Sequence, residues 1–270
     1  MKVAVIQMNS VDDKRQNIAR ALQLVSRAIK AKAKFIALPE VFNYRGPLNE
    51  ANREFVAEDI PGESTQIFMD LAKGRKVFIL IGSIYERVKS SPKVYNASVL
   101  INDQGKVQAK YRKIHLFDAV IGKRAVKESK SFLAGDYPCL AKVGDYTFGL
   151  SICYDLRFPN LYQRYAQMGA LVLSVPSSFT FMTGRAHWEV LLRARAIENL
   201  SYVLAPNQVG RNAEGIPSYG HSMIIGPWGN ILAEASENKE EIIYAQLDFK
   251  EIKQARRILP ALFKFIKKKE

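Results

Sequence analysis

Apolar residues fall along this chain in short runs separated by polar turns, and two periods alternate. The run VAVIQM (3–8) has the length and continuity of a buried strand. Ile18, Leu22, Val25 and Ile29 then recur at helical spacing, which predicts a helix across 12–31. FIALPE (35–40) reads as a fully apolar strand ending in Pro39 and Glu40. GESTQIFMDLAKGRK reads as a helix begun by Ser64 or Thr65, with Gly74 near its end. VFILIGSIYE (77–86) is another buried strand, and NASVLI and KVQAKY flank Asn102-Asp103-Gln104-Gly105, a hairpin turn. Further on, YTFGLSI (146–152) is a strand and Pro159 to Gln167 a helix that Gly169 stops. LVLSV is a strand, and residues 185–200 form a helix with Trp188, Leu191, Leu192 and Ile197 turned inward. YVLAPN, SMIIG, NILAE and EIIYAQLDF supply the last strands, and a basic amphipathic helix closes the chain. Strands alternate with helices while hairpins interrupt them, which predicts a mixed sheet with helices outside. The buried strands are numerous for one sheet, so two sheets packed face to face are expected.

Composition narrows this picture. The 270 residues are 48% hydrophobic and 24% charged, as in a globular protein, and no apolar run approaches a membrane span. MKVAVIQMNS enters a strand directly, without an apolar signal core and cleavage site, so the cytoplasm is the expected location. Two cysteines in so long a chain do not make a disulfide framework. No linker, repeat or low-complexity stretch divides the chain, so residues 1–250 are read as one domain and 251–270 as a basic C-terminal helix and tail. The net charge of +14 comes from 40 Lys and Arg against 26 Asp and Glu, spread along the chain except for the run KFIKKKE. Such a run reads as a solvated end rather than a nucleic-acid arm, and the surface also suits small anionic substrates.

Three ionisable residues each follow an apolar strand: Glu40, Lys113 and Cys153. In α/β sheets ligands bind at carboxyl ends of strands. If these strands are neighbours, an acid, an amine and a thiol meet at one rim. The chemistry is coherent, because a carboxylate can take the thiol proton while a nearby ammonium favours both the thiolate and a developing oxyanion. An amide or nitrile carbon would be attacked, ammonia would leave, and water would hydrolyse the resulting thioester, with neither a metal nor an organic cofactor. Taken singly, each residue has an ordinary reading. A free cysteine is usually a small core residue, as Cys139 is read here, and Glu40 and Lys113 could be surface charge. Spacing alone does not bring the three together.

The segments ALPEVF, YRKIHLFD and ICYDLRFP resemble, in order, the three signature segments of the nitrilase superfamily of carbon–nitrogen hydrolases. TGRAHWEVLLRARAIEN and YGHSMIIGPWGNILAE resemble segments of its Nit-type amidases, and the likeness runs from about Val3 to about Phe249. The resemblance implies an α-β-β-α sandwich, with Cys153 as nucleophile, Glu40 as general base and Lys113 as the ammonium beside the tetrahedral intermediate. It points to Glu128, in VKESKSF, as a second glutamate that positions Lys113 and the substrate amide. The backbone N–H of Tyr154 would share the oxyanion with Lys113. Homodimers of sandwiches are implied as well, with the Cys-bearing region and the C-terminal tail at the interface.

Cysteine followed by Tyr-Asp and Leu-Arg-Phe-Pro looks like the Nit-type amidases more than the branches acting on nitriles or N-carbamoyl compounds. The resemblance therefore implies hydrolysis of a non-peptide linear amide of a small carboxylate-bearing substrate, such as deaminated glutathione or the ω-amide of a dicarboxylic acid. Arg157 matches the position that binds such a carboxylate, for which a bidentate guanidinium is suited, or else it pairs with Asp155. Phe179 matches a pocket-lining position, or else it is core. Asn160 and Arg185 depart from the common pattern at places where substrate preference could change. Competing classes fare worse. His115, His187 and His221 are isolated rather than grouped as metal ligands, and Gly-x-Ser-x-Gly, P-loop and Gly-x-Gly-x-x-Gly motifs are absent. A non-catalytic basic binding protein would explain the charge but leave Glu40, Lys113 and Cys153 without a purpose.

Overall fold

The structure, a computed structural model, describes residues 1–121 and 124–263. The first apolar run becomes β1 (Lys2–Gln7). Asp13 accepts the Gln16 amide at 3.0 Å and caps α1 (Lys14–Lys30), whose buried stripe includes Ile18, Ala21, Leu24, Val25 and Ala28. Next come β2 (Phe35–Ala37), a one-turn α2 (Arg53–Val56) and α3 (Glu63–Arg75), where the Thr65 hydroxyl accepts the Gly62 amide at the helix start. Then β3 (Phe78–Glu86), β4 (Tyr95–Ile101) and β5 (Val107–Arg112) run as an antiparallel meander. The turn between β4 and β5 closes where Gly105, at φ +72°, donates to the Asn102 carbonyl at 2.9 Å, the left-handed geometry that its sequence anticipated.

A small ribbon of β6 (Asp118–Ile121) and β7 (Arg124–Lys127) precedes the second half. That half contains β8 (Cys139–Val143), β9 (Tyr146–Leu150), α4 (Pro159–Gln167) and β10 (Val172–Ser174). It continues through α5 (Phe181–Asn199), β11 (Tyr202–Ala205), β12 (Met223–Ile225) and β13 (Ile231–Glu234). The chain then returns to the first half with β14 (Glu241–Gln246) and ends in α6 (Phe249–Ile258). The two main sheets have the orders β14-β1-β2-β3-β4-β5 and β13-β12-β11-β10-β9-β8. Each has three parallel strands at its centre, β1-β2-β3 and β9-β10-β11, with antiparallel strands outside.

Alternation along the strands explains the layering. Val3 and Val5 face the opposing sheet, where they meet residues such as Phe148, Val172, Leu204 and Ile224. Ala4 and Ile6 face the other way, onto the stripe of α1 and onto Phe68 and Ala72 of α3. In the second sheet Leu173 and Val203 likewise point out to α4 and α5. Both faces of each sheet are therefore buried, which is why the strands read as continuous apolar runs. The result is the expected α-β-β-α sandwich. No helix among the described residues is long and apolar enough to cross a membrane.

Three expectations need correction. Ile197 is 43% exposed, because nine residues beyond Trp188 is two and a half turns, the opposite face of the helix. Arg195 takes the inward place, and its Nε and Nη2 donate to the Leu156 carbonyl at 3.0 and 2.8 Å. Secondly, β2 and β9 stop three residues short of Glu40 and Cys153, so both residues stand in loops rather than at strand ends. Thirdly, the strands that precede the three candidates are not neighbours: β3 and β4 lie between β2 and β5, and β9 belongs to the other sheet. The basic tail packs back through Phe249, Ile252 and Ala255 of α6, while residues 264–270, which are the whole of the run KFIKKKE in the tail assigned to an interface, lie outside the described residues.

Phe148 is fully buried between the sheets, its ring centroid 4.7 Å from that of Phe35. Phe148→Ala is expected to lower unfolding free energy by about 3–5 kcal/mol, read from urea denaturation. A loss below about 1 kcal/mol would mean the sheets do not depend on this contact.

Candidate active site

The loop after β2 carries Glu40, and the fold grips it from several sides. Gly82 sits at an irregularity in the β3–β4 register, and a Cβ there would lie 2.0 Å from the Leu38 carbonyl oxygen. Only glycine lets β3 come that close. The next residue, Ser83, accepts the Val41 amide at 2.9 Å through its hydroxyl, and Val41 itself sits at φ +50°. Gln208 donates to the Glu40 carbonyl at 2.9 Å. The carboxylate is held as firmly. Asn96 Nδ2 (2.9 Å) and Lys113 Nζ (3.2 Å) donate to Oε1, and the Ser178 amide donates to Oε2 at 2.7 Å.

Lys113 follows β5 and is 1% exposed, which overturns the surface-charge reading of this residue. Its Nζ lies 3.0 and 2.9 Å from the two carboxylate oxygens of Glu128, and Glu128 Oε2 also accepts the Phe117 amide at 2.7 Å. Burial by itself depresses a lysine. Here the carboxylates of Glu128 and Glu40, with Cys153, outweigh it and hold Lys113 well above the usual lysine range, so it stays an ammonium.

Cys153 opens a short 3-10 turn (Cys153–Arg157) at φ +46°, a left-handed conformation that a non-glycine residue adopts only where its surroundings impose it. The imposing groups are visible. The Cys153 amide donates to the Pro176 carbonyl at 2.9 Å, and Asp155, fully buried, cross-links the turn. Asp155 Oδ2 accepts the Ile152 amide at 2.8 Å and the Tyr111 hydroxyl at 2.7 Å. Its Oδ1 accepts the His115 amide at 3.0 Å and faces His115 Nδ1 at 2.7 Å. One carboxylate thus ties the cysteine turn to the strand and loop on either side of Lys113. Asp155 is not available to Arg157, which corrects that alternative pairing.

The candidate catalytic and substrate-binding residues reach one cavity of roughly 230 Å³. Glu40, Lys113, Glu128 and Cys153 line it together. Tyr154, Arg157 and Phe179 also border it, whereas Asn160 and Arg185 do not. The Tyr154 amide, next to the thiol, has no acceptor among the described residues. The Cys153 thiol is pushed well above its ordinary value by burial and then by the Glu40 carboxylate, against the opposing pull of Lys113 and the Ser178 amide. The thiol therefore rests protonated beside a carboxylate able to accept its proton. Arg157 lies over the Phe179 ring at 5.2 Å, with Nη1 3.2 Å from His187 Nδ1, and no carboxylate among the described residues is within ion-pair distance of it. Phe179 is 4% exposed and packs on Trp188, so it is both core and cavity wall. Among the described residues no group of three or more His, Cys, Asp or Glu is arranged to hold a metal.

Sequence reasoning missed Asn96 and Ser178, and it noticed Asp155 only as a rival partner for Arg157. Asn96 had a signal, a large polar amide in a largely apolar strand. Ser178 acts through its backbone, which no side-chain pattern reveals.

The fold and site define a class, and comparison with known proteins names it. Residues 2–257 match the carbon-nitrogen hydrolase family, and the chain belongs to that family. It is 40% identical over 267 residues to the human deaminated glutathione amidase, covering 96% of this chain and 80% of that protein. It is 38% identical over 260 residues to human omega-amidase NIT2, covering 96% and 92%. The Drosophila melanogaster nitrilase and fragile histidine triad fusion protein NitFhit is 39% identical over 261 residues, and this chain spans 96% of itself but 56% of that longer protein. The C. elegans NitFhit crystal structure superposes with a TM-score of 0.90 at 36% identity, over 98% of this chain and 64% of that one.

Because burial and Glu40 raise the thiol, alkylation of Cys153 by iodoacetamide should keep accelerating as pH rises through and beyond the ordinary thiol range. A free surface thiol would level off there instead. The rate is read by mass spectrometry, and a plateau near neutral pH would show that a thiolate already rests in the site.

Proposed function

We propose that this protein hydrolyses linear amides of small carboxylate-bearing acids, giving the free carboxylate and ammonia through a thioester on Cys153. The observation that carries the reading is the meeting of a protonated thiol, a buried carboxylate and a buried ammonium on one cavity, with Glu40 and Lys113 in contact at 3.2 Å. Family membership and the similarity to proteins named deaminated glutathione amidase and omega-amidase NIT2 support it.

The steps follow from the geometry. Glu40 takes the Cys153 proton, and the sulfur attacks the amide carbon. The oxyanion that forms is stabilised by the Lys113 ammonium and the open Tyr154 amide, groups already oriented before reaction. The C–N bond breaks, and ammonia departs with the proton held by Glu40. Water then gives a proton to Glu40 and attacks the thioester carbon. The C–S bond breaks, and the sulfur recovers the proton from Glu40. Glu128 holds Lys113 in place, and Asn96 holds Glu40. Asn96 lines the same cavity, and its buried Oδ1 has no donor among the described residues, so it can accept a hydrogen bond from the amide nitrogen or the water. Arg157, whose fork meets no carboxylate among the described residues, takes the distal carboxylate of the substrate while Phe179 packs on the acyl chain.

Self-association into a homodimer belongs to the same proposal. Val190 and Ile197 are exposed on α5, and Arg193 ties α5 to the Gly229 carbonyl at 2.9 Å, beside exposed Trp228. Covering this apolar patch would bury it.

A turnover screen across α-ketoglutaramate, deaminated glutathione, simple amides, nitriles and N-carbamoyl amino acids tests the reading, with released ammonia as the readout except for deaminated glutathione, whose leaving group is cysteinylglycine, and turnover of nitriles or N-carbamoyl compounds in place of amides overturns it. Cys153→Ala and Cys153→Ser should both abolish release with the fold intact by circular dichroism. Turnover retained in both would remove the nucleophile assignment. Arg157→Ala should raise KM for carboxylate-bearing amides about ten-fold or more and leave simple aliphatic amides far less affected. Equal effects would make Arg157 structural.

A further inference from the structure

The cavity holds a second arginine that the reaction above does not use. Arg45 lies five residues beyond Glu40 on the same loop, and its side chain lines the cavity while being 5% exposed. Its Nη1 donates to the Val209 carbonyl at 3.0 Å and to Asn9 Oδ1 at 3.2 Å, and its Nη2 donates to the Ser218 hydroxyl. All three acceptors are neutral. Its Nε is buried with no acceptor among the described residues. Burial pushes Arg45 down to about 10, which leaves it protonated at neutral pH, with Glu40 and Tyr85 acting in the opposite direction.

A charged guanidinium taken out of water is normally matched by a carboxylate. The carboxylates on this cavity do not serve. Glu40 is occupied by Lys113, Asn96 and the Ser178 amide, and Glu128 by Lys113 and the Phe117 amide. Glu214 also lines the wall, but the Arg45 donors go to Val209, Asn9 and Ser218. The missing partner of Arg45 is then an anion that enters the cavity. Arg157 is a second guanidinium on the same cavity with no carboxylate paired to it among the described residues, and the two are anchored by different segments: Arg45 by Val209 and Ser218, Arg157 beside Phe179 and His187.

We infer that Arg45 is a second carboxylate-binding residue of this cavity, so that the amides it favours carry two anionic groups, one for Arg157 and one for Arg45. This rests on the amide-hydrolase reading and narrows its substrate class. Nothing in the reacting triad requires Arg45, so its contribution lies in binding and enters KM rather than the chemical step.

The test compares glutaramate, with one carboxylate, and the monoamide of tricarballylic acid, with two, as substrates of the wild-type protein and of Arg45→Gln. Glutamine can still donate to Ser218 or Val209 but carries no charge. The preference for the two-carboxylate amide over glutaramate should fall about ten- to hundred-fold through KM, since a charge-assisted pair is lost. Arg45→Lys, which keeps the charge without the fork, should restore part of it. An unchanged preference, or equal KM increases for both amides and for propionamide, would make Arg45 a structural pin and overturn the inference.

If Arg45→Gln does not fold, Arg45→Lys carries the comparison. A smaller drop in preference supports the inference, and no drop overturns it. A binding arm separates this result from failure of the amide reading. On Cys153→Ser protein, calorimetry should show tricarballylate binding more tightly than glutarate, and the additional change Arg45→Gln should erase the difference. Equal binding before that change overturns the inference. If the Arg45-dependent difference is present but no amide is hydrolysed, the amide reading falls and the anion site stands.

Discussion

One ammonium between two carboxylates governs this molecule. Lys113 is almost wholly removed from water, and only Glu128 and Glu40 make that tolerable. Their charges also hold the lysine protonated, so the cavity always contains a fixed positive nitrogen. That nitrogen restrains Glu40, and Glu40 in turn keeps the thiol protonated until substrate arrives. The carboxylates keep Lys113 charged and Glu40 keeps the thiol protonated, so removing any one leaves a buried charge or an idle thiol. The site is best regarded as one electrostatic unit rather than as three residues with separate duties.

The sandwich exists to bring that unit together. Glu40 and Lys113 come from loops after two separated strands of one sheet, and Cys153 comes from a turn after a strand of the other. Packing the sheets face to face sets their loops side by side. Asp155 then locks the register, because it accepts from Tyr111 on β5, from His115 beyond Lys113 and from Ile152 before the cysteine. The left-handed Cys153 is held by this network and by the Pro176 carbonyl, so local strain is offset by contacts from elsewhere in the chain. Above the triad, the cavity walls carry the groups suited to choosing a substrate: two guanidiniums, an aromatic ring and a buried amide oxygen.

Much of the fold was legible beforehand. The continuous apolar runs became strands buried on both faces, the spacing from Ile18 onward became the stripe of α1, and Asn102 to Gly105 became the expected turn. Where reading failed, the cause was local. Ile197 was placed inward by its hydrophobicity although its angular position on α5 faces out, and Arg195 took the buried face because its guanidinium found the Leu156 carbonyl. The strands before Glu40 and Cys153 were read as too long, since Pro39 and the cysteine turn belong to loops that stay apolar.

The sequence by itself determined the class of fold, the family, and the identity of the acid, amine and thiol, because strand and helix periodicity and three short motifs are local properties of a chain. The tertiary structure alone decided that these groups share a cavity, that Asn96, Ser178 and Asp155 hold them in position, and that Arg45 stands buried with no carboxylate hydrogen-bonded to it among the described residues. Those facts depend on which loops two stacked sheets bring together and on which donors lack an acceptor after packing. Such relations join residues as far apart as the 138 positions from Glu40 to the Ser178 amide and the 173 from Arg45 to Ser218, and no local pattern encodes them.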